Sequence, residues 1–105
     1  MIETLHVGPS TFVVKRVDGL RDSESTLFGR IEYSSCEIEI ENTLCPQAQY
    51  QTIWHEIVHA ILVQSGRENH DEGMVNAISY GIIDVLQRNP EMRMEEMIFE
   101  NMEQK

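Results

Sequence analysis

Thr52-Ile53-Trp54-His55-Glu56-Ile57-Val58-His59-Ala60-Ile61-Leu62 is the stretch on which the reading of this chain turns. Ile53, Trp54, Ile57, Val58, Ile61 and Leu62 recur at helical spacing, which predicts an amphipathic helix laid against a core. On such a helix His55 and His59 stand at i and i+4, on one face and about 6 Å apart along the axis. That separation lets both imidazoles reach one metal ion at Zn–N distances of about 2.0–2.1 Å. Glu56 follows His55 directly and can lean toward a water beside the ion to take its proton. Two neutral nitrogen ligands and an adjacent carboxylate base are the parts needed for metal-assisted peptide hydrolysis. The plainer alternative is a set of solvated polar positions on an ordinary helix.

Outward from the motif, Pro46 suits a first helical position, where its missing N–H costs nothing, and Gly66 is a natural stop. The predicted helix therefore runs over 46–64. Residues 67–70 read as a connector and 71–87 as a second helix, with Val75, Ile78, Ile82, Val85 and Leu86 on its apolar face. Asn89-Pro90 ends it and opens a third, methionine-rich helix with Met92, Met94, Met97, Ile98, Phe99 and Met102, a composition typical of adaptable core or interface.

Upstream, residues 1–10 give no clear signal. Residues 11–17 are rich in β-branched side chains and read as a strand, turned by Asp18-Gly19. Residues 20–26 read as a polar loop. A second strand is expected over 27–33, with Gly29 as a candidate bulge. A third is expected over 36–41, where Cys36-Glu37-Ile38-Glu39-Ile40-Glu41 alternates strictly; its glutamates suggest an exposed face or a sheet edge. The expectation is an α+β fold: a small antiparallel three-stranded sheet, its last two strands a hairpin, packed on two to three helices.

At 105 residues the chain is one domain, 1–105, with one modest core. An apolar fraction of 41% and a charged fraction of 25% describe a globular protein. The net charge of −10 disfavours nucleic acid and anionic membranes as partners. No apolar run is long enough to span a bilayer, and the first residues lack a signal-peptide layout, so the expected compartment is the cytoplasm. Cys36 and Cys45 match no zinc spacing and read as free, partly buried thiols.

A catalytic zinc usually takes three protein ligands and leaves one position for water. His70, Asp71 and Glu72 are the downstream candidates. A second helix packed antiparallel on the first brings its opening turn beside the metal, which favours Glu72, one turn before Asn76. The competing role for Glu72 is a capping-box partner of Asn69. Tyr80 and His70 are candidate donors to a substrate carbonyl.

His55-Glu56-Ile57-Val58-His59-Ala60-Ile61-Leu62, with Asp71-Glu72-Gly73-Met74-Val75-Asn76-Ala77 after it, resembles the small phage and mobile-element zincin-type peptidases of the ImmA/IrrE-like kind. Gly29-Arg30-Ile31-Glu32-Tyr33 and Glu37-Ile38-Glu39-Ile40 look like the hairpin that precedes the motif helix in that family. The resemblance covers residues 27–90. It implies a minimal zincin-like domain in which His55, His59 and Glu72 bind zinc and Glu56 is the general base. The gap from His59 to Glu72 is shorter than in the family, and its N-terminal helix has no counterpart here. The SprT-like peptidases share the His-Glu-x-x-His motif but use a later histidine, which keeps His70 a candidate.

Three functions follow as expectations. The first is a zinc-dependent peptidase acting on a protein or peptide, with residues 36–41 as the edge strand that pairs with substrate. The second is a zincin-fold, metal-binding regulatory or interaction module without turnover. The third is a small acidic protein with no metal.

Overall fold

The computed structural model describes residues 3–21, 28–67 and 69–92. Four strands, β1 (Thr4–Val7), β2 (Ser10–Val17), β3 (Gly29–Glu32) and β4 (Glu37–Glu41), precede two helices, α1 (Pro46–Gln64) and α2 (Glu72–Arg88). A short 3-10 turn, Pro90–Met92, follows. The fold class is α+β, and no helix among the described residues is long and apolar enough to cross a membrane.

The sheet corrects the expected one. It has four strands rather than three, in the order β1-β2-β4-β3, and it is mixed rather than antiparallel. β1 pairs antiparallel with β2. It escaped notice because only Leu5 and Val7 of its four residues turn inward, too short an alternation to stand out. β3 and β4 form the expected antiparallel hairpin, but β4 folds back between β3 and β2 and pairs parallel with β2. β4 is therefore an interior strand, and β3 is an edge, with β1 at the other side of the sheet.

The glutamates of β4 have a different explanation from edge protection. Glu37 pairs with Lys15 of β2, and Glu39 accepts from Arg30 Nε of β3 at 2.6 Å. They tie the outer face of the central strand to both neighbours. The other face carries Ile38 and Ile40, both without exposed surface, in one cluster with Val7, Phe12, Val14, Ile53 and Ala60. Among the described elements the helix that covers that face is α1, so its apolar stripe closes the core.

α1 has the predicted bounds. Its N-cap, Cys45, makes no side-chain cap, and Pro46 opens the helix. Buried Gln49 holds the entry instead: its amide donates to Leu44 O at 2.9 Å and Asn42 O at 3.3 Å, and it accepts from Arg16 Nε at 3.1 Å. At the far end Gly66 takes φ +84, Gly66 N–H reaches Val63 O and Arg67 N–H reaches Leu62 O, the paired bonds of a Schellman stop.

α2 begins one residue after its expected start. Its N-cap is Asp71, which accepts from Gly73 N–H at 3.1 Å, and not Asn69 as in the competing capping-box role of Glu72. The expected apolar face of α2 is also rotated. Val75, Ser79 and Ile83 are the buried residues, while Ile78 and Val85 stay exposed and line an outer groove. The methionine-rich third helix is seen only as the 3-10 turn, since Met94, Met97, Ile98, Phe99 and Met102 lie outside the described residues. Cys36 is a half-buried free thiol, as expected, but Cys45 is exposed.

Glu41 closes the sheet at the α1 end. Only 4% exposed, its carboxylate accepts from Leu20 N–H at 2.5 Å, Thr43 Oγ1 at 2.7 Å, Thr43 N–H at 3.1 Å and Gly19 N–H at 3.3 Å. The Thr43 hydroxyl first, then the backbone donors, hold its pKa down to about 2 from 4.5. Because the folded pKa is depressed, this contribution is complete above about 4.5 and disappears as pH falls toward 2. Urea unfolding between pH 6 and pH 2 is expected to show stability falling across that window. Glu41→Gln is expected to be less stable at pH 6 and to flatten the fall; an unchanged slope would show that Glu41 is not its source.

Candidate metal centre

α1 presents His55 and His59 on one side, one turn apart, with ring centroids 4.8 Å from each other. α2 runs back along α1, so its first residue, Glu72, arrives opposite both. Glu72 Oε2 lies 2.9 Å from His55 Nε2, and Glu72 Oε1 lies 3.0 Å from His59 Nε2. The two Nε2 atoms are 3.1 Å apart. Ligand atoms on one tetrahedral zinc stand about 3.3 Å from each other, and these contacts, the two to Glu72 made by its separate oxygens, are of that order. Among the described residues these three form the group of His, Cys, Asp and Glu side chains able to hold a metal, with ligand atoms within 4.8 Å.

The chemistry of the donors agrees with the distances. His55 Nδ1 is 2.8 Å from Asn76 Oδ1. An amide oxygen only accepts, so Nδ1 carries a hydrogen, and with the ring's proton there alone Nε2 offers a lone pair on the side of Glu72. His59 Nδ1 lies 2.6 Å from His70 Nδ1. With His59 as donor, its Nε2 also offers a lone pair. Two imidazole lone pairs and a carboxylate then converge, an arrangement that a cation stabilises and that repels itself without one. Burial first, with neighbouring His55 and His70 adding to it against the pull of Glu72, lowers the pKa of His59 and favours the neutral ligand form.

The three downstream candidates separate cleanly. Glu72 joins the histidines. His70 stands behind His59 as its hydrogen-bond partner, and its own Nε2 is buried without a partner among the described residues. Asp71 is spent on the cap of α2. Asn76, noticed in the sequence only as lying one turn beyond Glu72, is the residue that orients His55. Its signal was that same i+4 spacing.

Glu56 is 5% exposed and lies under β3. Burial, with a further push from the charge of Glu72, raises its pKa to about 7. Tyr33, beside the same space, is held protonated more firmly than usual by burial and then by Glu56. Two clefts meet at Gly29, His55 and Glu56. One, of about 430 Å³, extends toward the start of α1 along Ala48, Thr52 and Tyr80. The other, of about 560 Å³, extends toward its end past Tyr33, Val63, His70 and Glu72.

Gly29 is a point of close approach rather than the anticipated bulge. A Cβ there would sit 2.5 Å from Thr52 Cγ2, 3.1 Å from Glu39 O and 3.4 Å from Glu56 Oε2. Gly29→Ala is therefore expected to cost about 1–3 kcal/mol in urea unfolding. Adding Thr52→Ser, which removes only the offending methyl, is expected to recover part of the loss. A neutral Gly29→Ala would show that β3 does not depend on this contact.

Comparison of the chain with protein-family models, with curated proteins and with solved structures returns no match.

Proposed function

We propose that the protein is a zinc-dependent peptidase built on a minimal zincin-like domain of the ImmA/IrrE-like kind. The observation that carries this reading is the convergence of His55 Nε2, His59 Nε2 and the Glu72 carboxylate beside the buried Glu56. The donor set, two imidazoles and a carboxylate, is one that zinc takes at hydrolytic sites. When bound, zinc supplies a Lewis acid that acidifies water toward a pKa of about 7 and polarises a carbonyl.

The rest falls to the chain. Glu56 takes the proton of the attacking water, holds it at a carboxylate whose pKa of about 7 suits both uptake and release, and delivers it to the departing amine. Asn76 and His70 fix the ring orientations of His55 and His59.

The edge of β3 offers a place for extended substrate. Glu41 N–H donates to Phe28 O at 2.8 Å, so residues 28, 30 and 32 direct their main-chain groups to β4. Gly29 and Ile31 then point theirs away from it, Gly29 at the rim of both clefts and Ile31 at that of the second. A peptide pairing there by strand addition passes beside His55 and Glu56. β3 takes the place anticipated for residues 36–41, which lie inside the sheet.

Elemental analysis of native, His59→Ala, Glu72→Ala and Glu56→Gln proteins tests the reading. About one zinc per chain is expected in the native and Glu56→Gln forms and loss from the other two. Cleavage of an unstructured polypeptide is expected to fall by about 10²–10⁴-fold in Glu56→Gln. Zinc retained in Glu72→Ala moves the third ligand to His70. Zinc binding with no turnover in the native protein leaves a metal-holding interaction module, and no zinc uptake at all ends the proposal.

A further inference from the structure

The cleft toward the start of α1 differs in kind from its neighbour. Besides the His55-Glu56 end that it shares with the metal centre, its lining is Phe28, Ala48, Gln51, Thr52, Asn76 and Tyr80, which includes no charged side chain. The other cleft carries Arg30, His70 and Glu72. Phe28 is 63% exposed and Tyr80 50% exposed, two large rings left in water where the core does not need them. Ala48 and Thr52 are one helical turn apart on α1, and Thr52 is fixed by its hydroxyl donating to Ala48 O at 2.7 Å. Only the small side chain of Ala48 leaves depth at that point. A volume of about 430 Å³ lies within the range of ligand-binding clefts, about 300–1,000 Å³.

We propose that this cleft receives a large apolar side chain of the bound peptide, immediately next to the reacting bond, with Phe28 and Tyr80 covering it and Ala48 setting its depth. The inference rests on the peptidase reading for the placement of the peptide but not for the selectivity of the cleft. Beyond the Glu56 end, a lysine or aspartate side chain entering the cleft would lose water without gaining an ionic partner, whereas a phenyl or isobutyl group is removed from water by the two rings. The chain's charge of −10 works further against an acidic side chain.

The probe is a series of acetyl-Ala-Ala-X-Ala-Ala-amide peptides with X as Phe, Leu, Gly, Asp or Lys. Binding is measured by NMR titration of the zinc-loaded Glu56→Gln protein, and cleavage with the native protein. The Phe and Leu peptides are expected to bind at least about tenfold more tightly than the other three. Ala48→Phe, checked for unchanged zinc content and melting temperature, is expected to abolish that advantage. Tyr80→Ala, at a half-exposed position, is expected to weaken the Phe peptide and not the Gly peptide.

Equal binding across the series, no binding by any peptide, or an advantage that survives both substitutions would overturn the proposal. Selective binding without cleavage upholds the cleft and overturns the peptidase reading. Cleavage of all five peptides at similar rates does the reverse.

Discussion

Glu72, Asn76, Ser79 and Ile83 follow one another at intervals of four, three and four residues, and together they make the side of α2 that meets α1. The first two are polar and hold the histidines; the last two are buried and hold the helices together. This shared stripe is the constraint on which the rest depends. Turning α2 by one residue position, about 100°, to bury Ile78 and Val85 instead would withdraw Glu72 from His55 and His59. The apolar residues left outside are thus explained by the polar ones turned toward α1. The small volume of Ser79, 1% exposed, fits the closeness with which the two helices run.

The motif helix was legible from Pro46 to Gly66 because each of its signals is local: a proline, an apolar period, a glycine. Glu72 was legible for a related reason, since a reversal at Gly66 and an antiparallel return bring only the opening turn of α2 to the histidines. The face of α2 was not. Hydrophobic periodicity weighs Ile78 and Val85 above Ser79, and it assigns no weight to a carboxylate that must face inward to meet two imidazoles. The order of the strands was likewise hidden. β4 pairs with β2 on one side and β3 on the other, and nothing in Glu37-Ile38-Glu39-Ile40-Glu41 distinguishes an interior strand with paired glutamates from an edge strand with solvated ones. The partners that decide it, Lys15 and Arg30, come from separate parts of the chain.

The environment of Glu56 shows how the sheet reaches into the site. An acid at that position of a helix would ordinarily be solvated. Here β3 closes over it because residue 29 has no side chain, and the resulting burial shifts its proton affinity to near neutrality. Gly29 thus links two things that seem separate: the distance between the edge strand and α1, and the protonation of a carboxylate beneath it. Glu41 is the counterexample in the same fold. It is as shielded from solvent, yet four hydrogen bonds from neighbouring donors hold its affinity for protons far lower. Burial alone therefore says little about a carboxylate until its donors are counted.

The interior position of β4 also bears on how the chain assembles. Val14 pairs with Ile38, twenty-four positions further along the chain, and the parallel contact forms only once the chain has reached β3 and turned back. Until then the β1-β2 hairpin has one side of β2 open, with its main-chain groups available to any passing strand. Lys15 and Arg16 lie on that open strand and carry like charge, which discourages two nascent copies from pairing there. When β4 arrives, those same side chains change office: Lys15 takes Glu37, and Arg16 takes Gln49 at the head of α1. Two cations of a kind that discourages pairing at an open strand are thus fasteners of the finished sheet.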